Sequence, residues 1–182
     1  GVQTCALPIS AGKYRLQIFP REDATGVVRT ETTDFTIAGS NVTLNVTLDT
    51  PNLTGVISPA EKSAYGWTYA EQYSCKCGWS GWTGAPGIAA SSGIKSDGSY
   101  AMKVDTGLTR VVAFPRYNAT GVTKTVSDSF TVTAGNTSTV NFDLSEGNVR
   151  GTISSVTNSA GGYVRVEKKN GNYWDWTNFG TQ

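Results

Sequence analysis

Apolar and polar residues alternate along several short stretches of the chain. In the clearest stretch, 42–48, every second residue is apolar: Val42, Leu44, Val46 and Leu48. Because successive side chains on a strand point to opposite faces, this pattern predicts a strand with one buried face. The same alternation predicts strands within 14–18, 100–104, 130–132 and 140–144.

The predicted strands end in residues that favour turns, as at Asp97-Gly98 and Ala134-Gly135-Asn136. No stretch shows a convincing amphipathic helix. Many short strands, each with one apolar face, are typical of a β-sandwich. The predicted fold class is therefore all-β, with Ig-like or transthyretin-like sandwiches.

A second pattern is a repeat with a step of about 95 residues. Phe19-Pro20 returns as Phe114-Pro115, and after a one-residue insertion the segment 52–57 returns as 148–153. Fixed-period similarity predicts tandem copies of one unit, and this period suits a small domain. Residues 1–50 are then the C-terminal half of a first unit, 51–146 a complete unit, and 147–182 the start of a third.

Residues 1–9, with Cys5, resemble the translation of a sequencing adapter, and nothing similar occurs one period later. They are interpreted as artefactual. The alternative is an ordinary short strand.

Composition argues against several classes of function but identifies none. Fifteen basic residues face fourteen acidic ones without a charged patch, which argues against nucleic acid as a partner. No apolar run is long enough to span a bilayer, so no membrane insertion is expected within the chain. The chain has no His, which removes the commonest general base and metal ligand. No catalytic residue, cofactor or metal is predicted, and the abundance of Gly, Thr, Ser and Asn favours an exported protein.

Residues 95–104, Gly107 and 111–115 together resemble the signature T-x-D-G-x-Y-x-L…G-x-Y-x-L-x-x-x-P of carboxypeptidase regulatory-like domains. These are transthyretin-like sandwiches, similar to the B-type repeats of bacterial surface adhesins. The chain departs from the signature at Leu108-Thr109, where the family has a Tyr that the first unit keeps as Tyr14. The resemblance implies spacer or accessory modules of secreted proteins.

Aromatic residues are concentrated between positions 65 and 82: Tyr65, Trp67, Tyr69, Tyr73, Trp79 and Trp82. Exposed rings stack on sugars, whereas buried rings fill a core. Core packing is favoured for Trp67. The stretch 78–84 is interpreted as a glycine-containing loop that can expose its tryptophans. The predicted carbohydrate-binding residues are Tyr73, Trp79, Trp82, Trp174 and Trp176.

Two further motifs bear on export. Cys75 and Cys77 would point the same way on a strand, where a direct bridge is strained. A disulfide to another partner and a pair of reduced thiols both stay open. Sequons that glycosylation would use occur at Asn41, Asn45, Asn52, Asn118 and Asn136.

The sequence thus predicts a non-catalytic extracellular or cell-surface module that acts as a stalk, adhesin or filament unit. Its expected partners are neighbouring repeats or copies of itself. The alternative is a carbohydrate-binding accessory module of a secreted protein that acts on polysaccharides.

Overall fold

The computed structural model describes residues 10–21, 23–76, 79–85, 90–147, 168–171 and 173–175, with the backbone alone at 75–76, 79–80, 168, 170 and 173–175. Sixteen strands and one short helix lie within these residues. In order they are β1 Gly12–Tyr14, β2 Gln17–Ile18, β3 Thr30–Glu31, β4 Phe35–Ile37, β5 Leu53–Ser58, α1 Ala60–Ser63, β6 Trp67–Lys76, β7 Trp79–Gly84, β8 Ser91–Gly93, β9 Ser99–Met102, β10 Gly107–Phe114, β11 Thr125–Val126, β12 Phe130–Val132, β13 Ser138–Thr139, β14 Phe142–Asp143, β15 Lys168–Asn170 and β16 Tyr173–Asp175.

The larger sheet is built on the antiparallel pair β6 and β10, in which Trp67 lies opposite Phe114 and Gln72 opposite Thr109. β7 and β8 pair with different parts of the free edge of β6. β11 and β12 likewise share the free edge of β10. Short strands thus cover both long strands along most of their length.

The smaller sheet is built on β5. β9 pairs with it in the antiparallel sense, with Met102 opposite Leu53. On its other side β13 and β14 both run parallel to it, with Ser138 opposite Leu53 and Phe142 opposite Ile57. β5 and β14, the first and last strands within 51–146, are therefore neighbours.

Both sheets contribute side chains to one buried hydrophobic cluster. The smaller sheet supplies Leu53, Ile57 and Met102, and the larger one supplies Val111 and Val132, each no more than 1% exposed. Burying one such side chain contributes about 1.5–3 kcal/mol. This arrangement confirms the predicted all-β class and resembles a sandwich.

The segment 42–48, which has the clearest alternation, contains no strand in the structure. That prediction is wrong for a physical reason. One period later, β13 and β14 form by pairing with β5. No counterpart of β5 precedes 42–48 among the described residues, so the backbone there has no strand beside it.

Strand pairing recurs at a fixed spacing of 95 residues. β1 pairs with β4 as Gly12 opposite Ile37, and β10 pairs with β12 as Gly107 opposite Val132. The pairing of β2 with β3 corresponds in the same way to that of β10 with β11.

Hydrogen bonds of side chains recur with the strands. The backbone N–H of Leu16 donates to Thr32 Oγ1 at 2.9 Å, and that of Val111 donates to Ser127 Oγ at 2.9 Å. The similarity in sequence is therefore accompanied by the same local structure.

Candidate functional site

An outward-facing layer of aromatic and charged side chains covers the larger sheet. On β6, Thr68 and Ala70 are buried, so the alternate positions face away from the core. The registers place Arg110 opposite Glu71 and Trp82 opposite Tyr73 on this same side. We call this surface the aromatic face; it consists of Trp67, Tyr69, Glu71, Tyr73, Trp82, Arg110 and Phe114.

Two expectations about these rings are wrong. The stretch 78–84 is not a loop from Trp79 onward, because Trp79–Gly84 forms β7 and pairs with β6 along its whole length. Trp67 does not enter the core, because Thr68 and Ala70 take the inward positions. Trp67 is instead 40% exposed on the aromatic face.

At one end of the face, Glu71, Arg110, Trp82 and Tyr73 form a connected chain of contacts. Arg110 Nε donates to Glu71 Oε2 at 2.7 Å, and Arg110 Nη2 lies 2.6 Å from the same oxygen. The Arg110 guanidinium lies 4.4 Å from the centroid of the Trp82 ring. The Tyr73 ring meets Trp82 edge-on at 5.6 Å. One side of Trp82 is therefore occupied by a cation from its own sheet.

Tyr69 links this chain to the middle of the face. Its hydroxyl donates to Glu71 Oε1 at 3.2 Å, and its ring stacks on Phe114 at 6.0 Å. Burial, with the Glu71 carboxylate as a smaller cause, raises the pKa of Tyr69 above its ordinary value. The hydroxyl therefore stays neutral and keeps donating at neutral pH.

The other end of the face meets the first segment of the chain. Arg29 places its guanidinium 4.3 Å from the Phe19 ring and 4.9 Å from the Trp67 ring. Its Nη1 also donates to Ser91 Oγ at 3.0 Å. Burial lowers the pKa of Arg29, but an arginine remains charged at neutral pH. We call this contact the arginine joint; it consists of Phe19, Arg29, Trp67 and Ser91.

A second contact supports the joint. Lys95 Nζ donates to the carbonyl oxygen of Ala24 at 2.9 Å. Segment 10–50 therefore contacts 51–146 through two cationic side chains, Arg29 from the first segment and Lys95 from the second.

The central unit repeats half of the arginine joint. Phe114 and Lys124 stand 95 residues after Phe19 and Arg29, and Lys124 Nζ lies 5.7 Å from the centroid of the Phe114 ring. An aromatic ring with a cation beside it thus recurs after 95 residues.

Reasoning from the sequence found the aromatic residues but missed their charged neighbours. No role was predicted for Arg29, Glu71 or Arg110, because each is an isolated charge in the sequence. The sequence offered no clear signal for Arg110, because the residues after it, 111–113, are all apolar and all buried.

Several predicted residues fall outside what the structure describes. Trp176 and Cys77 lie outside the described residues, and so do the side chains of Cys75, Trp79 and Trp174. The backbones of Trp79 and Trp174 lie in hairpins, opposite Lys76 and Lys169. The predicted roles of these tryptophans in sugar binding, and of Cys75 and Cys77 in a disulfide, stay predictions.

The sequons differ in accessibility. Asn41, Asn45, Asn118 and Asn136 are exposed. Asn52 is half-buried and bridges the chain, since its Nδ2 donates to the Val104 carbonyl at 2.8 Å and its Oδ1 accepts from the Val104 N–H at 2.9 Å. Asn52 therefore makes two hydrogen bonds within the fold that a glycan on its Nδ2 would disrupt.

Among the described residues no group of three or more Cys, Asp or Glu side chains could hold a metal ion. The described part of the chain also contains no helix long and apolar enough to cross a membrane.

Comparison with protein-family models, with curated proteins and with solved structures finds no match to this chain.

Proposed function

We propose that this chain is part of a non-catalytic, exported array of β-sandwich units that serves as a stalk, adhesin or filament. The observation that carries the proposal is the recurrence of strand register and hydrogen bonds at a spacing of 95 residues. Repeated units with matching local structure build an elongated molecule by stacking neighbours.

The arginine joint provides the contact between successive units. The first unit contributes Phe19 and Arg29, and the central unit receives them on Trp67 and Ser91. The central unit carries the equivalent pair, Phe114 and Lys124, for the unit that follows. In the sequence an aromatic residue, Tyr163, stands one period after Trp67. In this proposal the central unit has both halves of a joint, Trp67 and Ser91 at one place and Phe114 and Lys124 at the other.

The resemblance of 95–115 to carboxypeptidase regulatory-like domains supports the same reading. Those domains are spacers or accessory modules of secreted proteins. The aromatic face also favours it, because Trp82 is engaged by Arg110 and Trp67 by Arg29 within the chain itself.

The experiment that tests surface location is labelling of intact cells of the source organism. An antibody raised against residues 51–147 should bind intact and lysed cells equally. Binding to lysed cells alone would overturn an extracellular location.

Limited proteolysis tests the unit boundaries in the same chain. The exposed Thr50 should be cut first, releasing a resistant fragment that begins near residue 51, whereas 145–147 should be protected because its backbone is hydrogen-bonded to 121–125. Early cleavage within β6 or β10 would contradict the assignment of 51–146 as one unit.

A second candidate function is polysaccharide binding on the aromatic face. The observation that favours it is that Tyr73 and Trp67 remain 45% and 40% exposed on one side of one sheet. Sugars stack on rings presented in this way. Tyr73→Ala should then abolish pull-down by insoluble polysaccharide, whereas Tyr117→Ala, at a fully exposed tyrosine that is not one of the residues of this face, should not. Equal pull-down by both variants would remove this candidate.

A further inference from the structure

One edge strand of the larger sheet is longer than the other edge strands. Among the described strands, β8, β9 and β11 to β14 form the remaining edges of the larger and smaller sheets, and they have two to four residues each. β7 also lies at an edge, but it has six residues and pairs with β6 along its whole length. Proteins limit unwanted pairing by short edge strands, by charged side chains or by Pro. β7 contains no charged residue and no Pro, so it has none of these protections.

The outer edge of β7 presents backbone groups with which no described strand pairs. The N–H of Ala85, directly after β7, donates to the Ala70 carbonyl oxygen at 2.9 Å, towards β6. In an antiparallel pair, alternate residues direct their N–H and C=O groups to the same neighbour. The residues of β7 at positions 80, 82 and 84 therefore direct these groups away from β6.

The side chains near this edge leave it accessible. Thr83 and Gly84 are exposed, and no atom beyond the chain neighbours of Gly84 lies within 4 Å of a Cβ placed there. The Trp82 ring lies back over β6, where it meets Tyr73 of β6 and Arg110 of β10. None of these side chains blocks the approach of a further strand.

We propose that this edge pairs with the same edge of a second copy of the chain, antiparallel and about a two-fold axis. Trp82 lies opposite Trp82 of the second copy, and position 80 lies opposite position 84 on either side of the axis. In this register each outward N–H of one copy donates to an outward carbonyl oxygen of the other. The larger sheet then continues from one copy into the next. The inference does not depend on the proposed tandem units, because it uses only β6, β7 and their register.

The strand is suited to pairing with itself. Under a two-fold axis each side chain meets one from the same strand, and like charges directly opposite each other are destabilising. β7 has no charge that would repel its copy. The contact uses the same surface on both copies and occupies the edge of each, so assembly stops at a dimer. Because the contact is small, the dimer is weak and forms reversibly.

The first test is the mass of the wild-type chain, measured by analytical ultracentrifugation over a range of concentrations. The mass should rise reversibly to twice that of one chain and go no further. A chain that stays monomeric at every concentration would overturn the proposal. Assemblies that keep growing beyond the dimer would also contradict it, because a closed two-fold contact does not form them.

Disulfide trapping then tests the edge and its register, in a chain that carries Cys5→Ser, Cys75→Ser and Cys77→Ser. Trp82→Cys places two thiols on residues that face each other, with Cα atoms about 5.5 Å apart, which a disulfide spans. Thr83→Cys is the matched control. The two copies of Thr83 lie diagonally across the contact, about 7–8 Å apart, which is too far for a disulfide.

Mild oxidation should convert Trp82→Cys, and not Thr83→Cys, into a covalent dimer on a non-reducing gel. A mixture of Ser80→Cys and Gly84→Cys tests the same register with Trp82 in place, and it should form mixed dimers although neither variant crosslinks alone. Preferential crosslinking of Thr83→Cys would show that the register is wrong. Absence of mixed dimers from Ser80→Cys and Gly84→Cys would rule the contact out, even where Trp82→Cys fails to fold.

Discussion

The hydroxyl of Tyr100 donates a hydrogen bond to the carbonyl oxygen of Val140 at 2.8 Å, across the smaller sheet. Tyr100 lies on β9 and Val140 lies between β13 and β14, so β5 runs between them. Gly55 makes this possible, because a Cβ there would overlap the Val140 carbonyl and lie 2.8 Å from the Tyr100 ring. One tyrosine thereby joins both edges of the sheet.

Removing that hydroxyl should weaken the central unit at neutral pH. Tyr100→Phe leaves the ring in place but deprives the Val140 carbonyl of its side-chain donor. We expect a loss of about 1–2 kcal/mol in the free energy of unfolding, measured by urea denaturation. Tyr117→Phe, at a fully exposed tyrosine, is the control and should change nothing.

The same residue should make stability depend on alkaline pH. Burial raises the pKa of Tyr100 above its ordinary value, so folding favours the neutral phenol. This contribution is fully present below the pKa of the unfolded state, about 10, and is lost as the pH rises through the higher folded pKa. The wild-type unfolding free energy should therefore fall above about pH 10. The decline should be shallower in Tyr100→Phe, and parallel curves for the two proteins would contradict the assignment.

Gly55→Ala should be far more damaging than its size suggests. The added methyl group meets backbone at Val140 and the ring of Tyr100, neither of which can move without separating β5 from its neighbours. We expect a cost of about 3 kcal/mol, the upper end of the usual range for overpacked cores. Gly93→Ala, where nothing lies within 4 Å of the new Cβ, is the matched control on a strand. Thermal melts of both variants make the comparison, and similar melting temperatures would contradict it.

Glu71 and Arg110 should be energetically coupled. Their side chains are only 16% and 28% exposed, and they form two contacts within hydrogen-bonding distance. A double-mutant cycle of Glu71→Gln and Arg110→Met should give a coupling free energy of about 1 kcal/mol. The more exposed pair Arg15 and Glu31 should give a smaller value in the same experiment.

Arg29→Ala should loosen the arginine joint without unfolding either side. The side chain contacts two rings and a serine, and each cation–π contact contributes about 0.5–1 kcal/mol. Small-angle X-ray scattering of monomeric protein should show a broader distribution of distances for Arg29→Ala. Arg15→Ala, which removes an arginine that pairs with Glu31 inside the first segment, should leave the distribution unchanged.

Local patterns in the sequence predicted strands correctly where the chain also provides a neighbouring strand to pair with. The alternation at 100–104 and 130–132 correctly placed β9 and β12, because β5 and β10 lie beside them. The stronger alternation at 42–48 failed, since a strand also requires a neighbour, and none is described there. Alternation reports which face is apolar and carries no information on whether an edge is paired.

The aromatic face was anticipated only in part for a similar reason. The cluster of rings at 65–82 is visible in the sequence, but the cations that occupy Trp67 and Trp82 come from residues 29 and 110. Contacts across such separations depend on strand register, which the composition of either segment does not encode. The interpretation of 78–84 as a loop shows the same limit, because pairing with β6 turns a glycine-containing stretch into β7.

The parallel pairing of β5 with β13 and β14 determines how the central unit responds to tension. The chain enters at the Leu53 end of this ladder and leaves at the Asp143 end, so force along the proposed array would pull β5 and β14 in opposite directions along their axes. The bonds from Ser138 to Asn52, from Val140 to Thr54 and from Leu144 to Ser58 are then sheared together rather than opened one after another. A unit linked in this way should resist extension until these hydrogen bonds break together, and it should then unfold in one step.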